Sequence, residues 1–364
     1  MLEVTFLLSD KSQHLVIDQY VSLLWTERYD ELGEFELVIP YNLYSLVIGS
    51  MYLTIEVSET IMKFEDIQES YDAEVGRTLT LKGRSVACEL ELRVTEGPIF
   101  PDKQMAYVVQ DILMENLIAP TNPGRIIPGW LYDPPTDPSI FGPWVKKLFD
   151  AGTLYDILRL LCAPYGIGFT VTMDADRNFV FKLVNSTYRA YDQTERPPVI
   201  FSDDYDNLKD SSFFMSERDD KNVAVVITED EDPLYRSLIV WGGGIESTGL
   251  ARRETITDAR DVRRNIGSDV DPLTDAEMEA IMWARGMDDL SLKSPINIFE
   301  GTVDLFTSFR YGVDFFLGDI VQHDYDGRET TARIVEIIHS VTASEDNVYA
   351  SFDYDYIYTT GGSS

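Results

Sequence analysis

Ser22-Leu23-Leu24-Trp25-Thr26-Glu27-Arg28-Tyr29, followed by Leu32-Gly33-Glu34-Phe35-Glu36-Leu37-Val38-Ile39-Pro40, opens the stretch that decides the fold. A connector over 41–49 leads to Met51-Tyr52-Leu53-Thr54-Ile55-Glu56-Val57. The stretch closes with Thr78-Leu79-Thr80-Leu81-Lys82-Gly83-Arg84-Ser85 and Leu90-Glu91-Leu92-Arg93-Val94. Apolar and polar residues alternate with period two through most of these segments, which sets one face on a core and the other in water. Gly33, Pro40, Gly49, Gly76 and Gly83 punctuate them where turns or bulges are needed. The pattern predicts an antiparallel meander or barrel of about five strands.

Upstream, Leu2-Glu3-Val4-Thr5-Phe6-Leu7-Leu8 adds a first strand, Ser9-Asp10-Lys11-Ser12 its turn, and Leu15-Val16-Ile17 the return. Residues 1–95 therefore read as one β domain. After Gly97-Pro98 the period changes. Met105, Val108, Val109, Ile112, Leu113 and Leu117 stand at helical spacing and predict a helix over 104–118, ended by Ala119-Pro120. The stretch 121–143 is rich in Pro and Gly, yet Trp130, Tyr132 and Phe141 make it too aromatic for a free linker. A second helix over 153–163 gathers Leu154, Ile157, Leu158 and Leu161, with Thr153 as N-cap and Asp156 as the capping-box acid. Gly166-Ile167-Gly168 feeds a hairpin of Phe169-Thr170-Val171-Thr172-Met173 and Phe179-Val180-Phe181-Lys182-Leu183. Residues 96–200 thus form a helix–helix–hairpin insertion of α+β type.

Beyond residue 200 the strand pattern returns. Ser237-Leu238-Ile239-Val240-Trp241 ends on Gly242-Gly243-Gly244, and a strand and turn follow over 252–262. Thr274 and Glu277 form a capping box for a helix over 274–290. Further strands are predicted over 297–306, 320–323, 333–339 and 348–354, and Gly361-Gly362-Ser363-Ser364 reads as a frayed tail. Residues 201–364 make a second β domain.

Composition narrows the function. The chain has 364 residues, 44% hydrophobic and 12% aromatic, which excludes intrinsic disorder. Its 30 basic and 63 acidic residues give a formal charge of -33, a poor match to free nucleic acid or to an anionic membrane surface. No apolar run approaches the roughly 20 residues of a membrane span. Met1-Leu2-Glu3 opens with an acid rather than a basic leader, so folding in a cytosol is expected. Cys88 and Cys162 lie in apolar settings and read as buried free thiols.

Candidate chemistry is sparse. His14, His323 and His339 are isolated and lack metal-ligand spacing. Asp174-Ala175-Asp176-Arg177-Asn178 begins like a calcium loop, but Phe179 replaces the required Gly and Asn185 the closing Glu, so a hairpin turn is expected. Glu229-Asp230-Glu231-Asp232 reads as a solvated turn before Pro233. Gly242-Gly243-Gly244 lacks a phosphate-loop continuation. Trp130, Tyr132 and Trp144 fit packing or a subunit contact, with a sugar-stacking platform as the alternative. No catalytic, cofactor-binding or metal-binding residue is assigned, and no cofactor is expected. Carboxylates are abundant, so a glycosidase pair stays open by counting.

The tryptophan strand, Arg28, the Gly33-Glu34-Phe35-Glu36-Leu37 run stopped by Pro40, and the later Gly83-Arg84-Ser85 together resemble the siphophage tail-hub family, the Gp37-like tail proteins, and more distantly the hub of contractile tails. Phe201-Ser202 with Asn207-Leu208, Lys221-Asn222, the Gly-rich strand end before Arg253-Glu254, and Asp258-Ala259-Arg260-Asp261 continue the resemblance. So do Leu317-Gly318-Asp319-Ile320-Val321 and Arg333-Ile334-Val335-Glu336. The resemblance implies a mainly β chain with two tube-like β-barrel blocks around the α+β insertion. It implies a structural virion protein rather than an enzyme: a hub that closes the distal tail tube, organises the tail tip or baseplate, serves host attachment and lets DNA pass during ejection. Its implied partners are two further copies in a homotrimer, the tail tube or distal tail protein, and tail-tip or receptor-binding proteins. It would be assembled in the host cytoplasm and reside in the virion tail. Arg28, Arg84 and Arg93 would pair with acids such as Glu34 or Glu36, and the ring's inner wall would be acidic. The alternatives are a tail-tip cell-wall hydrolase, though the chain ends soon after its last predicted strand, and a carbohydrate-binding module.

Overall fold

The computed structural model describes residues 2–73, 76–136, 142–146, 149–229, 237–260, 262, 264, 272–303, 309–325 and 328–353. Phe141, most of the 229–232 acidic run and the 361–364 tail lie outside them. The chain is mainly β, 42% strand and 22% helix, as the alternation predicts. The N-terminal strands are β1 (Val4–Leu7), β2 (Gln13–Ile17), β3 (Ser22–Arg28), β4 (Glu34–Pro40), β5 (Tyr52–Ile55), β6 (Met62–Asp72) and β7 (Gly76–Ser85). A one-turn helix α1 (Tyr44–Val47) fills the connector. The middle of the chain holds β8 (Asp102–Gln104), α2 (Met105–Leu113), β9 (Trp130–Asp133), β10 (Trp144–Lys146), α3 (Leu154–Cys162), β11 (Gly168–Met173) and β12 (Phe179–Val184). Then come β13 (Tyr188–Arg189), β14 (Ile200–Ser202), β15 (Leu208–Ser216), β16 (Val223–Ile227), β17 (Ser237–Trp241), β18 (Glu254–Asp258) and α4 (Asp275–Ser291). The last strands are β19 (Ile296–Val303), β20 (Ile320–Tyr325), β21 (Arg328–Thr342) and β22 (Asp346–Asp353).

β4 shows why the pattern folds this way. Phe35, Leu37 and Ile39 are buried and their neighbours are not, so one face packs on Trp25, Leu23 and Leu81 in a shared core. The two ends of the chain meet in one 14-stranded sheet, along the path β15-β19-β22-β21-β3-β4-β7-β6-β5-β1-β2, with β13, β14 and β20 branching from it. β21 lies antiparallel to β3, from Thr342 opposite Ser22 to Glu336 opposite Arg28. Strands of the two β blocks thus run on in one continuous sheet, because β3 is paired along both of its edges.

The helix–helix–hairpin unit forms as its spacing predicts. Thr153 caps α3 by accepting from Asp156 N, and α2 runs on through one π turn, Met114–Ile118. Both helices pack on the β11–β12 hairpin in a core of Val109, Leu113, Leu158, Phe179 and Phe181. Thr274 and Glu277 close the capping box of α4, which covers β17-β16-β18, a separate three-stranded sheet with its own core. Among the described residues no helix is long and apolar enough to cross a membrane.

One local reading needs correction, and one strand was not foreseen. Residues 90–94 are not a strand: Val86–Leu92 winds as a 3-10 helix. Val86, Ala87, Cys88, Glu89 and Leu90 are buried in succession, which a half-exposed strand does not allow. β6 carries no apolar alternation in the sequence, yet it pairs with β7 over its whole length. Backbone hydrogen bonding makes it a strand, since the residues after Phe64 are exposed on both faces.

Candidate functional site

The seam between β3 and β21 is where the chain concentrates polar chemistry. Strand register sets Trp25 opposite His339 and Glu27 opposite Ile337. Glu27 is only 4% exposed. Its Oε2 accepts from Tyr311 Oη at 3.0 Å and from Thr60 Oγ1 at 2.8 Å. Burial raises the pKa of Glu27, while the hydroxyls bonded to it act the other way. His339 Nε2 stands 3.9 Å from Glu27 Oε1. Burial lowers that imidazole to about 4, so it is neutral at pH 7 and the contact is no ion pair there.

The outer side of the seam is ionic. Arg28 donates from Nε to Glu336 Oε2 and from NH2 to Glu34 Oε1, each at 2.7 Å, and from NH1 to the Leu32 carbonyl at 3.0 Å. One guanidinium therefore ties the first block to the last. Its side chain is 27% exposed, so the pairs are partly screened. Removing Arg28 or Glu336 is expected to lower stability by about 1 kcal/mol each. A double-mutant cycle of Arg28→Ala and Glu336→Ala in urea should give a coupling of similar size. Additive losses would refute the bridge.

Tyr29 ties in the third region. Its hydroxyl sits 2.9 Å from the Gly166 carbonyl and 3.0 Å from that of Val184, both in the α+β unit. Gly168 and Gly318 lie against its ring, and the Arg333 guanidinium sits 5.4 Å from the ring centre. Between these elements opens a cavity of about 600 Å³, bounded by the end of β3, the 56–60 loop, β11 and the 311–317 loop. Asp30, Glu56 and Glu59 supply carboxylates to its lining. Val57, Val313 and Phe316 supply apolar surface and are 40%, 58% and 45% exposed.

The residues singled out in the sequence are scattered. Of the expected arginine pairs, Arg28 reaches Glu34, and Glu336 besides. Arg84 binds Glu65 and Glu91, at 2.8 and 2.9 Å. Arg93 bonds the carbonyls of Arg125 and Leu92 instead of an acid, and Glu36 pairs with Lys82. His14 is exposed beside the Leu46 carbonyl, and His323 is buried against Phe352. Cys88 and Cys162 are buried free thiols, each pushed up to about 12 by burial. Asp174 closes a tight turn by accepting from Asn178 N at 2.8 Å. Gly242–Gly244 is a short 3-10 turn at the end of β17. Trp130 is buried and donates to Glu89 at 3.1 Å, while Trp144 is 63% exposed, so these rings form no common platform. Among the described residues no three His, Cys, Asp or Glu side chains converge as a metal-ligand set. Glu27, Tyr29 and Tyr311 escaped sequence reading as a site, because the 311–317 loop brings Tyr311 onto β3 from nearly the other end of the chain.

The sequence model of the family described as "Siphovirus ReqiPepy6 Gp37-like protein" matches residues 9–352. No curated protein sequence matches the chain. Three of the solved structures that match it illustrate the shared fold. The 43 kDa tail protein of prophage MuSo2 from Shewanella oneidensis is 15% identical, with a TM-score of 0.55 over 97% of this chain and 96% of that one. A tail protein from Neisseria meningitidis MC58 is 12% identical, with a TM-score of 0.58 over 97% of each chain. The prophage tail protein gp18 from Listeria monocytogenes EGD-e is 14% identical, with a TM-score of 0.53 over 98% of this chain and 96% of that one.

Proposed function

The chain belongs to the siphovirus Gp37-like protein family and is a structural component of the phage tail and baseplate, and from that premise we propose that it is the tail hub. In this reading it closes the distal end of the tail tube as a homotrimer and organises the tip for host attachment. It also leaves a channel through which DNA passes without being held. Its neighbours are the tail tube or distal tail protein and the tail-tip or receptor-binding proteins. The reading assigns the chain no catalytic step.

One observation carries it. Strands from both ends of the chain join edge to edge through β3 and β21, which supports a reading in which each chain offers two tube-like blocks, 1–95 and 201–364, around the 96–200 unit. Three such chains would present six blocks to a six-fold tube. The end strands of the sheet, β2 and β15, supply backbone edges for neighbours. The charge of -33 supports an acidic channel wall, because carboxylates repel phosphate within about 8 to 10 Å at cellular salt. Mass measurement of the assembled tail tip is expected to give three copies. Two or six copies would refute the ring.

A further inference from the structure

We infer that the open face of the β17-β16-β18 sheet is a self-association surface, covered in the free protein by the same face of a second copy. The inference goes beyond the hub reading and does not depend on how many copies the assembled tail holds.

This sheet belongs to a module carried on two strands. Ser216 at the end of β15 pairs with Ile296 at the start of β19, and Lys221 N donates to the Lys293 carbonyl at 2.8 Å, so the module's two connections lie side by side. α4 covers one face of the sheet, where Ala224, Val226 and Val240 pack on Met278 and Ile281. The strand period of two turns their neighbours to the other face. Register there sets Ile239, Val225 and Ile256 in one row across all three strands. Ile239 is 47% exposed and Ile256 71%, and Trp241 on the same face is 37% exposed. The connection from β17 to β18 adds Ile245 and Leu250, 76% and 101% exposed.

Charge and area together select the occupant. The chain carries a formal charge of -33, so two copies repel over most of their surface. The stretch 237–260 is different: Glu246, Glu254 and Asp258 stand against Arg252, Arg253 and Arg260, and the charges cancel. The acids on the open face are matched within their own strand or just beyond it. Arg252 Nε pairs with Glu254 at 2.6 Å, and Arg260 NH2 with Asp258 at 2.5 Å. A basic partner gains most from the acidic surface elsewhere, whereas two copies of this chain approach best where the charge is cancelled. The exposed apolar side chains of the face and its loop present on the order of 600 Å². Two copies would therefore bury roughly 1,200 Å², the lower limit of a stable specific interface. Sheets packed face to face about 10 Å apart would form a sandwich, with the α4 helices outside.

The test is sedimentation equilibrium of the full chain. A monomer–dimer equilibrium is expected, and the dimer should strengthen as ionic strength rises from about 0.1 to 1 M, because salt screens the repulsion between two acidic chains. Ile256→Asp and, separately, Ile239→Asp should weaken the dimer about tenfold or more, while Ile256→Val should hold it within about twofold. Leu46→Asp, at an exposed apolar side chain of the first block, should leave it unchanged. Several results would overturn the inference: a monomer at millimolar concentration, a dimer that salt dissociates, an oligomer that survives both aspartate variants, or one that Leu46→Asp dissolves. So would a chain that stays monomeric and gains hydrogen-exchange protection at 239 and 256 only in the assembled tail, because the occupant would then be another tail protein.

Discussion

Gly83→Ala is expected to destabilise the protein by about 3 kcal/mol, the upper end of the range for overpacking. Gly83 lies in β7 opposite Phe64, where β6 bulges between Phe64 and Asp66. A Cβ at Gly83 would come 1.8 Å from the Lys63 carbonyl oxygen and 2.7 Å from the Phe35 ring. The ring can turn, but the carbonyl is backbone and moves only if β6 moves. That displacement would disturb the pairing of β6 with β7 and, through Phe35, the packing on Trp25. Gly76→Ala is the control. It has φ +90 and nothing within 4 Å of an added Cβ, so its loss should be the backbone term alone, about 1 kcal/mol. Urea melts of the two variants should differ by at least twofold in lost stability, and equal losses would sink the steric account.

Acid should unfold the protein early through its buried histidines. Burial lowers both His323 and His339 to about 4, and they are 0% and 4% exposed. An unfolded imidazole takes a proton near pH 6.5, while the folded one resists until about pH 4. The unfolded state therefore binds more protons between these limits. Stability is fully present above pH 6.5 and falls as pH drops to about 4. Each histidine contributes up to roughly 1.4 kcal/mol per pH unit, on the order of 3 kcal/mol across the window. Glu27 works in the opposite sense: its raised pKa favours the protonated carboxyl in the fold, so acid relieves it and masks part of the His339 effect. His323 stands on β20 against Phe352 and gives the second test. His323→Gln should flatten the loss of stability between pH 6.5 and 4.5, measured by urea melts. A limb as steep as in the native chain would reject the assignment.

The parts of the fold that were legible are those where burial writes a period into the chain. Phe35, Leu37 and Ile39 mark β4 unaided, and Thr274 with Glu277 marks the start of α4. β6 was not legible, because its exposed faces leave no apolar rhythm and only its partner strand defines it. The 86–92 helix misled for the reverse reason. Leu90 and Leu92 alternate as a strand would, while Glu89 is buried to receive Tyr52 and Trp130, a bond no local rule anticipates. The site was least legible of all. Glu27 reads as the polar half of an alternating strand, and nothing local reveals that Tyr311, 284 residues away, turns its face inward.

The pairing of β3 with β21 has a consequence for how the protein is born. Arg28 and its partner Glu336 are 308 residues apart. At about 5–20 residues per second, a ribosome needs roughly 15 to 60 s to deliver the second strand after the first has emerged. Throughout that interval the nascent chain holds β3 with one edge open, although β4 is ready to cover the other at once. An open edge recruits foreign strands, and ribosomes on one messenger expose many identical edges close together. Slow translation should therefore favour aggregation of this chain, and a chaperone that shields the 22–28 segment until release should raise the yield of assembled tails.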